Sequence, residues 1–349
     1  MGYRLSRGVL GGRSLCFGLL LVVAFGWPLA QLWAADAVPP VTYFRIAAGS
    51  VASADFPVGE AIANLISKPP GAAPCEPGGR CGVPGLVASA EASAGALGDV
   101  RAVAAGRVDS ALVPADVVDW AWRGTGPFTG EGPRRELAVI ASLHRASLHL
   151  VVRRGAGITR LRDLKGKRVS LGPANTATAV EARLVLEAAG LKERALVVSR
   201  LEAGRAVDAL AAAELDAFFL VDSWPSQVIA DLALRDRVDL LPLDGRVAET
   251  LRARNPLLSP TVIPAGTYGS IPATPTLEIA IDWIVPAKAG NDLVYQLARA
   301  LFDPVNRPVL QRAHPSMSDI SPLRPTGTAG VPIHPGAQRH YQESRPAQP

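Results

Sequence analysis

The chain has 349 residues, 36 Lys and Arg against 31 Asp and Glu, a formal charge of +5 and 48 % hydrophobic residues. So weak a charge excess, with no run of Lys or Arg, excludes a nucleic-acid footprint. At about 100–200 residues per domain the length suggests two domains, and the apolar share supplies two cores. Arg4, Arg7 and Arg13 precede an apolar run from Leu15 to Leu32, and Ala35-Asp36-Ala37 follows. A basic head, an apolar stretch and an A-x-A site describe a secretory signal peptide over residues 1–37, cleaved before Val38. Its removal takes away three arginines and Asp36, which lowers +5 to +3. No later run reaches the roughly 18 unbroken apolar residues of a membrane helix. The mature chain is therefore expected to be soluble and periplasmic.

The mature chain alternates strand-like and helix-like pieces. Tyr43–Ala47 reads as a strand, followed by a Gly/Ser loop and a helix from Pro57 to about Ser67 with Ile62, Leu65 and Ile66 at helical spacing. Proline suits a first helical turn, where its missing N–H costs nothing. Next comes a Pro/Gly loop holding Cys75 and Cys81, the two cysteines left after Cys16 departs with the signal. In an oxidising compartment they are expected to form a local disulfide, contributing about 2 kcal/mol and no chemistry. A strand Leu86–Ala90, a helix near Gly95–Ala105 and a strand Ser110–Val113 follow.

The scheme recurs further on. It runs as a strand Arg168–Leu171, a loop Gly172–Ala177, a helix to Ala189, an Ala-rich helix Ala206–Ala213 and a strand Ala217–Leu220. Thr178 with Glu181 three residues later has the capping-box pattern. Helices of about ten residues between strands indicate βαβ units and a mainly parallel sheet. An internal echo links Val108-Asp109-Ser110-Ala111 to Leu215-Asp216-Ala217-Phe218, each with a further acid close behind, Asp116 or Asp222.

Catalytic signatures are missing. His144, His149, His314, His334 and His340 have no metal-ligand spacing, no G-x-S-x-G elbow occurs, and no dinucleotide or P-loop glycine pattern is complete. Neither a catalytic residue nor a metal nor a cofactor is expected. What remains are loops that leave strands and open helices, where α/β sheets bind ligands on free helix N–H groups. Gly49–Phe56, Pro114–Asp116 and Gly172–Thr178 are three such loops, the first and third rich in small and hydroxyl residues.

Across these segments the chain resembles the TAXI-type solute receptors of TRAP (tripartite ATP-independent periplasmic) transporters. The matching pieces run from Ala48-Gly49-Ser50 and Phe56-Pro57-Val58-Gly59 through Gly106-Arg107-Val108-Asp109-Ser110-Ala111-Leu112-Val113 and Gly124-Thr125-Gly126-Pro127-Phe128. They continue with Asp163-Leu164-Lys165-Gly166-Lys167, Gly172-Pro173, Asp216-Ala217-Phe218-Phe219, Ile263-Pro264-Ala265-Gly266-Thr267-Tyr268 and His334-Pro335-Gly336-Ala337. The resemblance implies an α/β type II periplasmic-binding fold, two lobes around a ligand cleft that close like a hinged trap. It also implies membrane subunits that couple uptake to an ion gradient, and small carboxylate ligands. Departures bear on the ligand. Asp55 stands where one of a pair of aromatics is usual, and Pro114-Ala115 replace two hydrogen-bonding residues before Asp116, so a dicarboxylate is disfavoured.

The expected lobes are 41–146 plus 266–343, and 147–265, with a disordered tail at 344–349. Ligand-binding candidates are Ser50, Ser53, Asp55, Phe56 and Asp116 from the first lobe, Asn175, Thr176, Thr178 and Trp224 from the second, and Tyr268 near a crossover. The expected function is a monomeric receptor that hands a small polar, carboxylate- or amino-acid-like metabolite to a TRAP membrane subunit. The alternative is a periplasmic sensor docking on a signalling receptor.

Overall fold

A computed structural model describes residues 41–74, 82–235, 237–320 and 330–344. The expected signal segment, Cys75 and Cys81, and the last five residues of the tail lie outside the described residues. The described residues form one compact unit.

The chain begins with β1 (Thr42–Ala47), α1 (Asp55–Ile66), the two-residue strands β2 (Ser67–Lys68) and β3 (Val83–Pro84), β4 (Leu86–Glu91), α2 (Ala96–Ala104), β5 (Ser110–Pro114) and α3 (Ala115–Arg123). The 17-residue β6 (Leu137–Arg153) leads to β7 (Arg168–Ser170), α4 (Ala177–Ala188), β8 (Val197–Ser199), α5 (Ala203–Ala211), β9 (Ala217–Asp222), α6 (Gln227–Ala233), β10 (Val238–Leu240), α7 (Gly245–Arg254) and β11 (Ser259–Ile263). The 13-residue β12 (Thr274–Pro286) then returns the chain to α8 (Asn291–Phe302), α9 (Arg307–Ala313) and α10 (Pro335–Glu343).

The strands form one sheet in the order β3-β2-β4-β1-β5-β12-β6-β9-β7-β8, with β10 beside β6 and β11 beside β12. Two wings of parallel strands, β4-β1-β5 and β9-β7-β8, are joined through β6 and β12, which run antiparallel to each other. Each long strand pairs with one wing and with the other long strand. β12 pairs β5 through Ile281–Ile284, and β6 pairs β9 through Ser147–Val152. The α/β class is as expected, but the sheet is mixed instead of mainly parallel. Continuous burial on both faces erased the alternation that marks a strand in sequence, so β6 and β12 escaped notice.

Local chemistry explains the shorter elements. In α1, Val58, Ile62, Leu65 and Ile66 are buried at the spacing of one helix face, and each such side chain contributes about 1.5–3 kcal/mol. The internal echo is a real structural repeat. Asp109 accepts the Arg45 backbone N–H of β1 at 2.9 Å, and Asp216 accepts the Arg168 backbone N–H of β7 at 3.0 Å. Both acids stand just before a strand and fasten it to its parallel neighbour. One cap differs from expectation. Thr176, not Thr178, caps α4 by accepting from Ala179 N–H at 3.3 Å. Thr178 lies inside the helix and accepts the Val221 N–H of β9 at 3.1 Å.

Candidate functional site

A cleft of about 850 Å³, its open mouth included, lies where loops following β1, β4, β7 and β8 meet the carboxyl ends of β5 and β9. These loops sit at the carboxyl ends of their strands, the position at which α/β sheets bind ligands. The cleft is walled by both wings, and α1, α2, α4 and α5 all begin at its edge.

The loop after β1 turns on Gly49, whose φ of +67° suits glycine. Ser53 donates to the Ser50 carbonyl at 2.7 Å, while Ser50 Oγ accepts from Ala52 N–H at 3.3 Å, so the Ser50 hydroxyl hydrogen is unused by this turn. Across the cleft, Thr176 donates to the Pro173 carbonyl at 2.7 Å. Gly95, at φ +122°, lets the two wings meet here. A Cβ on it would sit 2.8 Å from the Asn175 carbonyl oxygen, and that same oxygen accepts the Leu97 N–H at 3.2 Å.

Five expected residues line the cleft: Ser50, Ser53, Asp55, Thr176 and Thr178. The other five are elsewhere. Phe56 is half-buried and packs on the main core. Asn175 offers its carbonyl to Leu97, outside the lining. Trp224 packs on the core of α5, α6 and β9. Tyr268 is buried in that same core, where its hydroxyl accepts the Ser226 N–H at 2.9 Å and donates to His149 Nε2 at 3.1 Å. His149 in turn donates from Nδ1 to the Ser147 carbonyl at 3.0 Å. Burial holds His149 neutral by pushing it down to about 4.

Asp116 is the largest displacement from expectation. It is 1 % exposed and faces Glu181 of α4, itself 2 % exposed. Asn255, just after α7, donates Nδ2 to Asp116 at 2.8 Å and, more weakly, to Glu181 at 3.5 Å. Burial raises both carboxyls above their ordinary range, and Asp116 raises Glu181 further. The two acids come from opposite wings, so they form a sealed contact between them.

Three acids that sequence reasoning missed line the cleft: Asp99, Glu202 and Asp222. Asp222, 4 % exposed, ends β9 and reaches across to accept the Ala54 N–H at the start of α1 at 2.9 Å. No side chain of α1's own N-cap does this. Burial, and to a lesser degree the Asp55 charge, pushes Asp222 up to about 6 against hydrogen bonds that pull it down. Asp99, also 4 % exposed, lies in the first turn of α2 and accepts from Ser93 Oγ at 2.7 Å. Burial pushes it up to about 6 as well, with a smaller upward push from Asp55. The echo with Asp116 was a signal for Asp222. Asp99 carried none, since an acid near a helix start reads as a solvated position.

Asp55, His144 and Ser223 form a string that resembles a nucleophile relay. His144 Nε2 lies 3.2 Å from Asp55 Oδ1 and its Nδ1 lies 2.9 Å from Ser223 Oγ. Ser223 is 1 % exposed, gives its hydrogen to the Arg145 carbonyl at 2.7 Å and is not part of the lining. With that hydrogen committed, His144 Nδ1 donates to Ser223, His144 Nε2 makes no hydrogen bond to Asp55, and Ser223 has no hydrogen to pass to a base. Among the described residues no three His, Cys, Asp or Glu side chains converge where a metal ion could sit, and no helix is long and apolar enough to cross a membrane.

The sequence that builds this fold matches a recognised family. Residues 46–344 match the NMT1-like family, and the chain belongs to it. Among solved structures, a protein from Bordetella bronchiseptica RB50 is similar at 17 % identity, over 87 % of this chain and 90 % of that one, with a TM-score of 0.49. The alkanesulfonate-binding protein SsuA from Xanthomonas axonopodis pv. citri, bound to MOPS, is 14 % identical over 88 % and 85 %, at 0.44. The GluR0 ligand-binding core from Nostoc punctiforme, in complex with L-glutamate, is 14 % identical over 77 % and 98 %, at 0.43.

Proposed function

We propose that the protein is an extracytoplasmic solute receptor: it captures a small polar metabolite in the cleft and delivers it, unchanged, to a TRAP-type membrane transporter. The observation that carries this reading is the cleft itself, walled by loops from both wings at the carboxyl ends of their strands. Membership of the NMT1-like family is in keeping with it. The TAXI resemblance of the motifs supports the TRAP partner, and the basic-apolar-AxA start supports export to the periplasm. Capture by closure of two lobes fits the polar contacts that link the wings, Ala54 to Asp222 and Leu97 to Asn175.

The reading is tested with the exported protein and a transport assay. Thermal-shift screening with small metabolites is expected to give a rise in melting temperature, since a compound that binds only the folded state raises its apparent stability. Uptake of that compound in vesicles should collapse with an ionophore and survive ATP depletion. Uptake that needs ATP would exclude the TRAP partner, and the absence of any binding would exclude the receptor.

A further inference from the structure

We propose that the cleft takes a small organic cation, a compact molecule with an ammonium group beside an apolar body, in preference to a carboxylate. This inference rests on the receptor reading and names the class of its ligand. Every charged side chain lining the cleft is an acid: Asp55, Asp99, Glu202 and Asp222, with no Arg or Lys among the lining residues. A carboxylate ligand would find no guanidinium or ammonium to meet it, and those partners make the strong charge-assisted bonds of carboxylate sites.

The four helix N-termini at the edge pull the other way, each worth about half a positive charge. A carboxylate carries more charge than the half charge of a helix terminus, and four acids face four termini. Those termini are also partly answered already: Asp222 takes the Ala54 N–H of α1, and Thr176 caps α4. The acids are not fully used by the protein. Asp99 is 4 % exposed and accepts only the Ser93 hydroxyl among the described residues, which leaves one of its oxygens open on the cleft. Asp55 disfavours the charged forms of both Asp99 and Asp222 by repulsion, and a cation between them would relieve it. The acids are spread around the cleft without a metal-binding cluster. Leu112, Phe219 and Ile281 supply an apolar wall, which suits an organic cation.

The test screens the mature protein by thermal shift against monoamines, diamines, amino acids, monocarboxylates and dicarboxylates, with calorimetry on the hits. Hits should be confined to ammonium-bearing compounds. Each should lose about tenfold or more in affinity, about 1.4 kcal/mol, in both Asp99→Asn and Asp222→Asn, with circular dichroism unchanged. Hits among carboxylates that lack an amine would overturn the inference and leave the receptor standing. An ammonium hit that both variants bind as tightly as wild type would overturn the role of the acids. Silence in every class would overturn the receptor reading and this inference together.

Discussion

Asp109 and Asp216 do the same work in the two wings, whereas Asp116 and Asp222, the acids that follow them, do not. Each of the first pair fastens its strand to a parallel neighbour through an arginine backbone N–H. Of the second pair, Asp222 ends its strand at the cleft and caps a helix of the opposite wing. Asp116 sits one position further from its repeat acid, inside α3, and is sealed against Glu181 and Asn255. One residue of displacement separates an acid that can meet a ligand from one that can meet only protein. Similar sequence around a strand end therefore identifies a neighbourhood, and the register within it decides the role.

The comparison can be strained first where the wings touch. Gly95→Val places a branched side chain at φ +122° and 2.8 Å from the Asn175 carbonyl. A loss of about 3 kcal/mol in denaturant unfolding is expected, together with weakened ligand binding.

Asp222→Asn tests the cleft acid. The folded state raises this carboxyl from 3.8 to about 6, so wild type loses stability from this group as pH rises from about 4 to about 6. The variant should therefore be more stable than wild type in the ligand-free state at pH 7, by about 2–3 kcal/mol, and equal to it near pH 4. The difference between the two proteins is the quantity to measure. His149, His314, His334 and His340 are lowered by burial and act in the opposite sense over much of the same range, but they contribute equally to both. Asp216, lowered chiefly by its hydrogen bond from Arg168, loses its contribution only below its ordinary value of 3.8. A variant that gains stability while losing its ligand is the signature of a binding acid held at a cost.

Tyr268→Phe tests the opposite case, a residue expected in the cleft and found in the core. It leaves the Ser226 N–H without its acceptor and should cost about 2 kcal/mol, with the charge preference of the ligand unaltered. The smallest effect is expected at the sealed pair. Glu181→Gln replaces an acid whose ionisation is opposed by burial and by Asp116 with an amide that donates to Asp116 at any pH, which should stabilise the fold by about 1 kcal/mol at pH 7 and by less as the solution is acidified.

Five strands of the two wings, β1, β4, β5, β7 and β9, could be read from sequence because they alternate with amphipathic helices and turn glycines, whereas the three-residue β8 was too short to show a period. The two strands that join the wings could not, since both faces of β6 and β12 are buried and no alternation survives. In the cleft, Ser50, Ser53, Asp55, Thr176 and Thr178 were legible because they occupy loops between a strand and a helix or the first residues of the helix that follows. Asp99 was not, as an acid in the first turn of a helix such as α2 reads as a solvated position, and its exposure to the cleft depends on the opposite wing. Tyr268 and Trp224 are aromatics near strand ends, where only the packing of α6 and β9 decides whether they face core or ligand.

Native mass spectrometry of wild type, Asp116→Asn and Asp222→Asn, all exported from one host, tests the central claim most directly. Wild type and Asp116→Asn should carry the same added small-molecule mass, and Asp222→Asn should carry none. The same occupancy in all three proteins, or loss in Asp116→Asn alone, would contradict the assignment of the cleft as the binding site.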